Sequence, residues 1–184
     1  MPVTAKPADP SGANAPLHIQ RVRGLTPAQI ESLAELLIDC VAGGASVSFM
    51  HPLSLARAQA FWRQVAAGVA AGERALLVAA QASGIVGTVL LVLDQPENQP
   101  HRADLSKLLV HRRARRHGAG EALMRAAEPQ ARECGKSLLV LDTASDAAAS
   151  LYLRLGWQRV GAIPDYALLP QGGLCATTLF YKAL

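Results

Sequence analysis

The sequence lacks any apolar run near the roughly 18 uncharged residues that a membrane-spanning helix needs. A soluble, intracellular protein with no membrane partner is therefore expected. Cysteine is scarce, and Cys40, Cys134 and Cys175 are scattered with no pair at metal-ligand or redox-motif spacing. They read as buried structural thiols in a reducing compartment, and no metal site is expected. Residues 1–16 lack both the positively charged start and the apolar run of a secretory signal. They are rich in Pro, Ala and small polar types, which suits a disordered leader. Residues 17–184 then form one domain of ordinary size, with a cytoplasmic location. Aromatics make up only 4% of the chain, so Phe61, Trp62, Tyr152 and Trp157 stand out individually.

Charge of one sign is not concentrated either. The net charge is +4, without the Lys and Arg stripe of a nucleic-acid binder, so no nucleic-acid partner is expected. The one dense run, Arg112, Arg113, Arg115 and Arg116, leads into a glycine motif, a placement that suits a small polyanion such as a nucleotide cofactor. With 51% hydrophobic and 17% charged residues the chain is not disordered, although alanine inflates the first figure.

What is present is a regular alternation of elements. A first strand is expected over Leu17–Val22. Thr26-Pro27-Ala28-Gln29 supplies an N-cap, a first-turn proline and a capping-box glutamine. Ile30, Leu33, Leu37 and Val41 follow at helical spacing, and Gly43-Gly44 stops the helix. A second helix starts at Ser54, carries Phe61, Val65 and Val69 on one face, and ends at Gly72. Arg74–Ala80 and Ile85–Leu93 read as strands joined by a turn at Ser83-Gly84. Ala103–Val110 is a strand, Gly118–Cys134 a long helix, and Ser137–Leu141 a short buried strand. A helix over about Asp146–Leu155 and strands near Trp157–Gly161 and Ala176–Lys182 complete an α/β (α+β) domain around one mixed sheet.

The most informative stretch runs from Leu108-Leu109-Val110 through Arg115-Arg116-His117-Gly118-Ala119-Gly120 into the following helix. Amides at a helix start are unpaired and partly positive, so they bind anions. Gly118 and Gly120 keep side chains away from those amides, and Arg115 and Arg116 add charge. His117 exposes its own N–H in the same turn. The spacing is neither a dinucleotide fingerprint, which needs three glycines and a later acid, nor a Gly-Lys-Ser/Thr loop.

This turn resembles the arginine-x-x-glycine-x-glycine signature of the GNAT-type N-acetyltransferases. Leu151-Tyr152-Leu153-Arg154-Leu155-Gly156-Trp157 resembles that superfamily's leucine-tyrosine-x-x-x-glycine-aromatic segment, one helix and one strand downstream. Residues 43–50, Arg102-Ala103-Asp104, Lys107-Leu108, Leu141-Asp142-Thr143 and 161–166 are similar to its tabtoxin-resistance branch. The resemblance spans Leu17 to the C-terminus. It implies a central, mixed, mostly antiparallel sheet with a splay between strands four and five, flanked by about four helices. It also implies acetyl-CoA as donor, bound by Leu108, Leu109, Val110, Arg115, Arg116, His117, Gly118, Ala119, Gly120 and Ser145. The acceptor it implies is a small-molecule amine or hydroxyl, amino-acid-like as in antibiotic or toxin resistance. A homodimer follows only by analogy with the fold.

Acetyl transfer needs a proton taken from the amine and one given to the departing thiolate. Tyr152 is the candidate acid, because a phenol stays protonated at neutral pH. The alternative reading is an aromatic packed beneath Gly156 and Trp157. Asp142 and Asp104 are the candidate bases that the resemblance implies. Alternatively, Asp142 caps a turn through Thr143 and Asp104 is a solvated edge charge. A backbone N–H of Leu108–Val110 is expected to meet the thioester carbonyl. Ser145 stands where many family members carry asparagine. Ser46–Met50, with Phe61 and Trp62, is a candidate acceptor wall, although core packing explains the two aromatics as well. Competing readings are a non-catalytic acyl-CoA sensor and a protein or peptide amine acetyltransferase.

Overall fold

A computed structural model describes residues 16–184. The leader expected over 1–16 lies, apart from its last residue, outside the described residues. The chain forms β1 (His18–Val22), α1 (Pro27–Ala42), α2 (Leu55–Ala70), β2 (Arg74–Gln81), β3 (Gly84–Val92), β4 (Arg102–Val110), α3 (Ala119–Glu133), β5 (Leu138–Thr143), α4 (Asp146–Arg154), β6 (Gln158–Leu168) and β7 (Leu174–Ala183). The strands make one seven-stranded sheet in the order β1-β2-β3-β4-β5-β7-β6. Among the described residues only β4 and β5 pair in parallel. The expected mixed, mostly antiparallel sheet with four helices is the one observed.

Local chemistry accounts for the helix ends. Thr26 Oγ1 accepts from the Gln29 amide at 3.2 Å while the Gln29 side chain accepts from the Thr26 amide at 2.9 Å, a reciprocal box that fixes the start of α1. Ser54 Oγ does the same for α2 through the Arg57 amide. Pro129 lies inside α3 on its exposed side, where the carbonyl it leaves unpaired can face water.

The sheet separates two cores. Ala75, Leu77 and Ala79 of β2 face α3 and α4, together with Leu123, Met124, Tyr152, Trp157 and Phe180. Leu76 and Val78, the alternate residues, face α1 and α2, together with Leu37, Val41 and the fully buried Trp62. Burial on both faces explains why β2 is almost wholly apolar.

β4 breaks this alternation. Ala103 and Leu105 belong to the α3 core, yet Leu109 belongs to the α1–α2 core, so one extra residue has entered the strand. The β3–β4 register shifts between Thr88 and Leu90, and Lys107 takes φ +50°. The Lys107 carbonyl, displaced from the ladder, accepts from the fully buried Thr88 hydroxyl at 2.9 Å. The bulge kinks β4 as its parallel pairing with β5 stops. That pairing covers only Arg102↔Leu138, Ala103↔Leu139 and Asp104↔Val140. Beyond Asp104 the strands part, and this is the splay.

The last hairpin is longer than the pattern suggests. β6 continues past Gly161 to Leu168, through Pro164 and through Asp165 at φ +52°. Register shifts at 159–161 and 163–167 scramble its period. As β6 is an edge strand, the missing N–H of Pro164 costs no ladder bond.

Thr88→Val keeps the volume of that side chain but leaves the bulge carbonyl without its donor. Urea denaturation should show a loss of roughly 1–3 kcal/mol, whereas an unchanged midpoint would mean that the bulge does not depend on this hydroxyl.

Candidate active site

The wedge between β4 and β5 opens a cavity of about 550 Å³, walled by residues 43–48, 105–108, Arg115, 142–145, Ala147, Ala148, Tyr152 and Leu169. A smaller cavity of about 260 Å³ adjoins it and shares Ser46, Ser48, Asp142 and Ala144.

Arg115, on this wall, leads into the start of α3. After the short 3-10 turn Arg112–Ala114, Arg116 at φ +65° and Gly118 at φ +81° swing the chain into the helix. No side chain caps α3 at Gly118. The Ala122 amide returns to the Gly118 carbonyl, so the amides of Ala119, Gly120 and Glu121 precede the helical ladder and have no partner within it. This is an anion-binding surface built from backbone. Arg115, Arg116 and His117 are exposed beside it. At Gly120 a Cβ would stand 3.5 Å from Leu151 and 3.8 Å from Val110, narrowing the gap between the end of β4 and α4.

A carboxylate holds the turn in place. Asp39, on α1, accepts from the Arg112 amide at 3.0 Å and Arg112 Nε at 2.7 Å, with His111 Nδ1 at 3.7 Å. Burial on its own would raise the pKa of Asp39. The bonds from Arg112 and the charges of His111 and Arg112 together outweigh it and hold the group below its usual value of 3.8. Asp39 carried no motif in the sequence. Its signal is a lone acid on the inner face of an otherwise apolar helix.

Along the wedge the backbone is oriented by β3. The His111 amide donates to Val86 of β3 at 2.9 Å. By alternation, Leu109 also points its amide and carbonyl toward β3, and its side chain fills the α1–α2 core. Leu108 and Val110 therefore turn their backbone groups to the side that β5 has left. The Val110 carbonyl accepts from Arg115 Nε at 3.1 Å, whereas Leu108 lines the cavity. Ser145 Oγ caps α4 through the Ala148 amide at 3.3 Å and also lines the cavity.

The structure brings Tyr152 and Asp142 to the same cavity. The Tyr152 ring is buried against Trp157 and Phe180, with centroids 5.9 and 5.7 Å away. Burial foremost, then the negative charge of Asp142, push its phenol far above the ordinary range, so it stays protonated. Asp142 Oδ2 accepts from the Thr177 hydroxyl of β7 at 2.7 Å and borders both cavities. Asp104 is not brought to this place. It is held by Arg102 and by Gln95 Nε2, and lines neither cavity.

Sequence reasoning missed Lys107, because an αL bulge inside a strand has no short-range signature when the residue is not glycine. Its ammonium reaches the larger cavity, 3.3 Å from Ser48 Oγ and 5.7 Å from the Phe61 ring centre. Burial, opposed by Asp142 and aided by Arg74, lowers its pKa from the usual lysine value. Of the suspected acceptor wall, Ser46, Ser48, Phe49 and Met50 line the smaller cavity. Phe61 braces Phe49 edge-to-face at 5.3 Å, and Trp62 is core. The His51 amide bonds the Pro170 carbonyl, tying this loop to the β6–β7 hairpin. All three cysteines are free thiols. Among the described residues, no group of three or more His, Cys, Asp or Glu is arranged to hold a metal, and no helix is long and apolar enough to cross a membrane.

Comparison with known proteins agrees with this geometry. Residues 32–157 match the model of the acetyltransferase (GNAT) family. A ribosomal-protein-alanine N-acetyltransferase from Brucella melitensis superposes with a TM-score of 0.74 at 22% identity, over 91% of this chain and 99% of that one. The protein yncA from Salmonella typhimurium, solved with its cofactor acetyl-CoA, gives 0.72 at 20% identity over 93% and 95%. A phosphinothricin acetyltransferase from Sinorhizobium meliloti, in complex with acetyl-CoA, gives 0.73 at 18% identity over 92% and 88%. At these identities the structural likeness speaks for the fold.

Asp39→Asn should destabilise the protein at pH 7 by about 1–3 kcal/mol. Because the carboxyl titrates lower when folded than when unfolded, its contribution is complete above the unfolded value and fades as pH falls through the folded one. Paired urea titrations from neutral pH down to about pH 3 should show the wild-type advantage shrinking. A constant gap would contradict this account.

Proposed function

This chain belongs to the acetyltransferase (GNAT) family, and from that premise we propose that it is an enzyme that moves an acetyl group from acetyl-CoA to the amine, or a hydroxyl, of a small molecule. One observation carries the reading. The uncapped start of α3 follows within a few residues of Arg115, which lines the same cleft as Tyr152 and Asp142.

Each residue has a defined part. The amides of Ala119 and Gly120, presented by Gly118 and flanked by Arg115, Arg116 and His117, suit the pyrophosphate. The freed backbone of Leu108 and Val110 suits the amide-bearing pantetheine arm, with the Ser145 hydroxyl opposite. When bound, acetyl-CoA supplies a thioester whose acyl carbon is open to attack. A backbone N–H of this stretch, that of Leu108, hydrogen-bonds the acyl oxygen as charge develops there. Asp142, steadied by Thr177, takes a proton from the acceptor directly or through water. Tyr152 keeps its proton, which its burial favours, until sulfur departs and then donates it to the thiolate. Likeness of residues 43–50 and 161–166 to the tabtoxin-resistance branch supports an amino-acid-like antimetabolite as acceptor, hence a resistance role.

An acceptor screen that reads free coenzyme A tests this. Turnover of some amine, lowered roughly 100-fold or more in kcat by Tyr152→Phe with acetyl-CoA affinity retained, is the expected result. Saturable acetyl-CoA uptake with no turnover across a broad amine panel would leave a sensor instead of an enzyme.

A further inference from the structure

The smaller cavity has a wall that acetyl transfer as such does not require. Over the two joined cavities the lining cations are Arg115 at the phosphate end, then Lys107 and Arg57. Among the described residues Asp142 is the single lining carboxylate. Among the described residues neither Lys107 nor Arg57 makes an ion pair.

Both cations instead rest on an aromatic shelf. The Arg57 guanidinium lies 5.8 Å from the centre of Phe49, the Lys107 ammonium 5.7 Å from the centre of Phe61, and the two rings pack edge-to-face. Such contacts orient a cation without consuming its hydrogen-bond donors. The ammonium spends one N–H on Ser48 Oγ at 3.3 Å. The bulge fixes the lysine backbone, through φ +50° and the Thr88 bond, and the ammonium lines the larger cavity while bonding Ser48, a residue that lines both. A purely cationic acceptor would bring a further positive charge against Lys107 and Arg57 with only Asp142 to balance it.

Resting on the acetyl-transfer reading above, we infer that the acceptor carries an acidic group beside its amine, a carboxylate or another small oxyanion, which Lys107 binds with Arg57 at the cavity mouth while the amine faces Asp142. Lys107 is thereby the residue that sets acceptor specificity. A cavity of about 260 Å³ suits a molecule of amino-acid size.

The test compares kcat/KM for α-amino acids and their carboxamides, for example L-methionine and L-methioninamide, in the wild type, Lys107→Met, Lys107→Arg and Arg57→Ala. The amide also alters the basicity of the amine, so the decisive quantity is the change that each variant makes in the acid-to-amide ratio. That ratio should fall about tenfold or more in Lys107→Met, be largely kept in Lys107→Arg, and fall less in Arg57→Ala. An unchanged ratio in Lys107→Met overturns the inference, as does a wild-type preference for amides or for spermidine. Should acetyl-CoA bind while no amine is acetylated, the transferase reading is what fails. Calorimetry of the same amino acids into the protein–coenzyme A complex then decides separately: uptake that is lost in Lys107→Met upholds the anion site, and no uptake removes it.

Discussion

The organisation of this protein turns on a partnership that β4 gives up. Parallel pairing with β5 lasts three residue pairs and then ceases, leaving the inner backbone of Leu105 to Val110 without a strand beside it. Unpaired backbone inside a fold is costly unless something bonds it. The bulge at Lys107 makes the separation orderly: Thr88 takes the displaced carbonyl, and Arg115 takes that of Val110. What stays exposed is a short polar edge facing a cavity, a surface that an extended, amide-bearing ligand can complete as a missing strand would.

A second unpaired edge meets the first. The leading amides of α3 lack a side-chain cap, and the turn before them is kept from relaxing by Asp39. The arrangement is economical in charge. One buried carboxylate on α1 pairs with Arg112, so the turn is anchored through this arginine although its side chain remains largely exposed, as Arg115 and Arg116 are. Burial of Asp39 makes the anchor more dependent on its partners, because a charge half removed from water needs them to remain ionised.

Most of the fold was legible in the sequence because its signals are local. The box Thr26–Gln29, the cap Ser54, the apolar run of β2 and the glycine turn before α3 each act within a few residues, and each element lies where they put it. The departures come from long-range terms. Lys107 bulges because β3 supplies a hydroxyl 19 positions away. β6 passes Pro164 because the sheet order makes it an edge. Asp39 and Arg112 meet across 73 positions. At the site, the motif-bearing turn and the pairing of Tyr152 with Asp142 in one cavity were readable. The placement of Asp104 was not, since strand position does not say that Arg102 and Gln95 would hold it. Leu109 likewise belonged to the same three-residue stretch as its neighbours, but the alternation set by β3 turns it inward.

Tyr152 shows why packing and chemistry need not compete as explanations for one side chain. Its ring is held by Trp157 and Phe180 in the larger core, which fixes the direction in which the phenol can point. That same burial removes water from the oxygen and opposes loss of its proton, and the nearby Asp142 opposes it further. A flexible, solvated tyrosine would have neither the fixed direction nor the added reluctance to ionise. The core thus orients the phenol and keeps it protonated in the resting site while making it a weaker acid, and the glycine turn at Gly156 swings the chain from α4 back to Trp157 although it touches neither cavity.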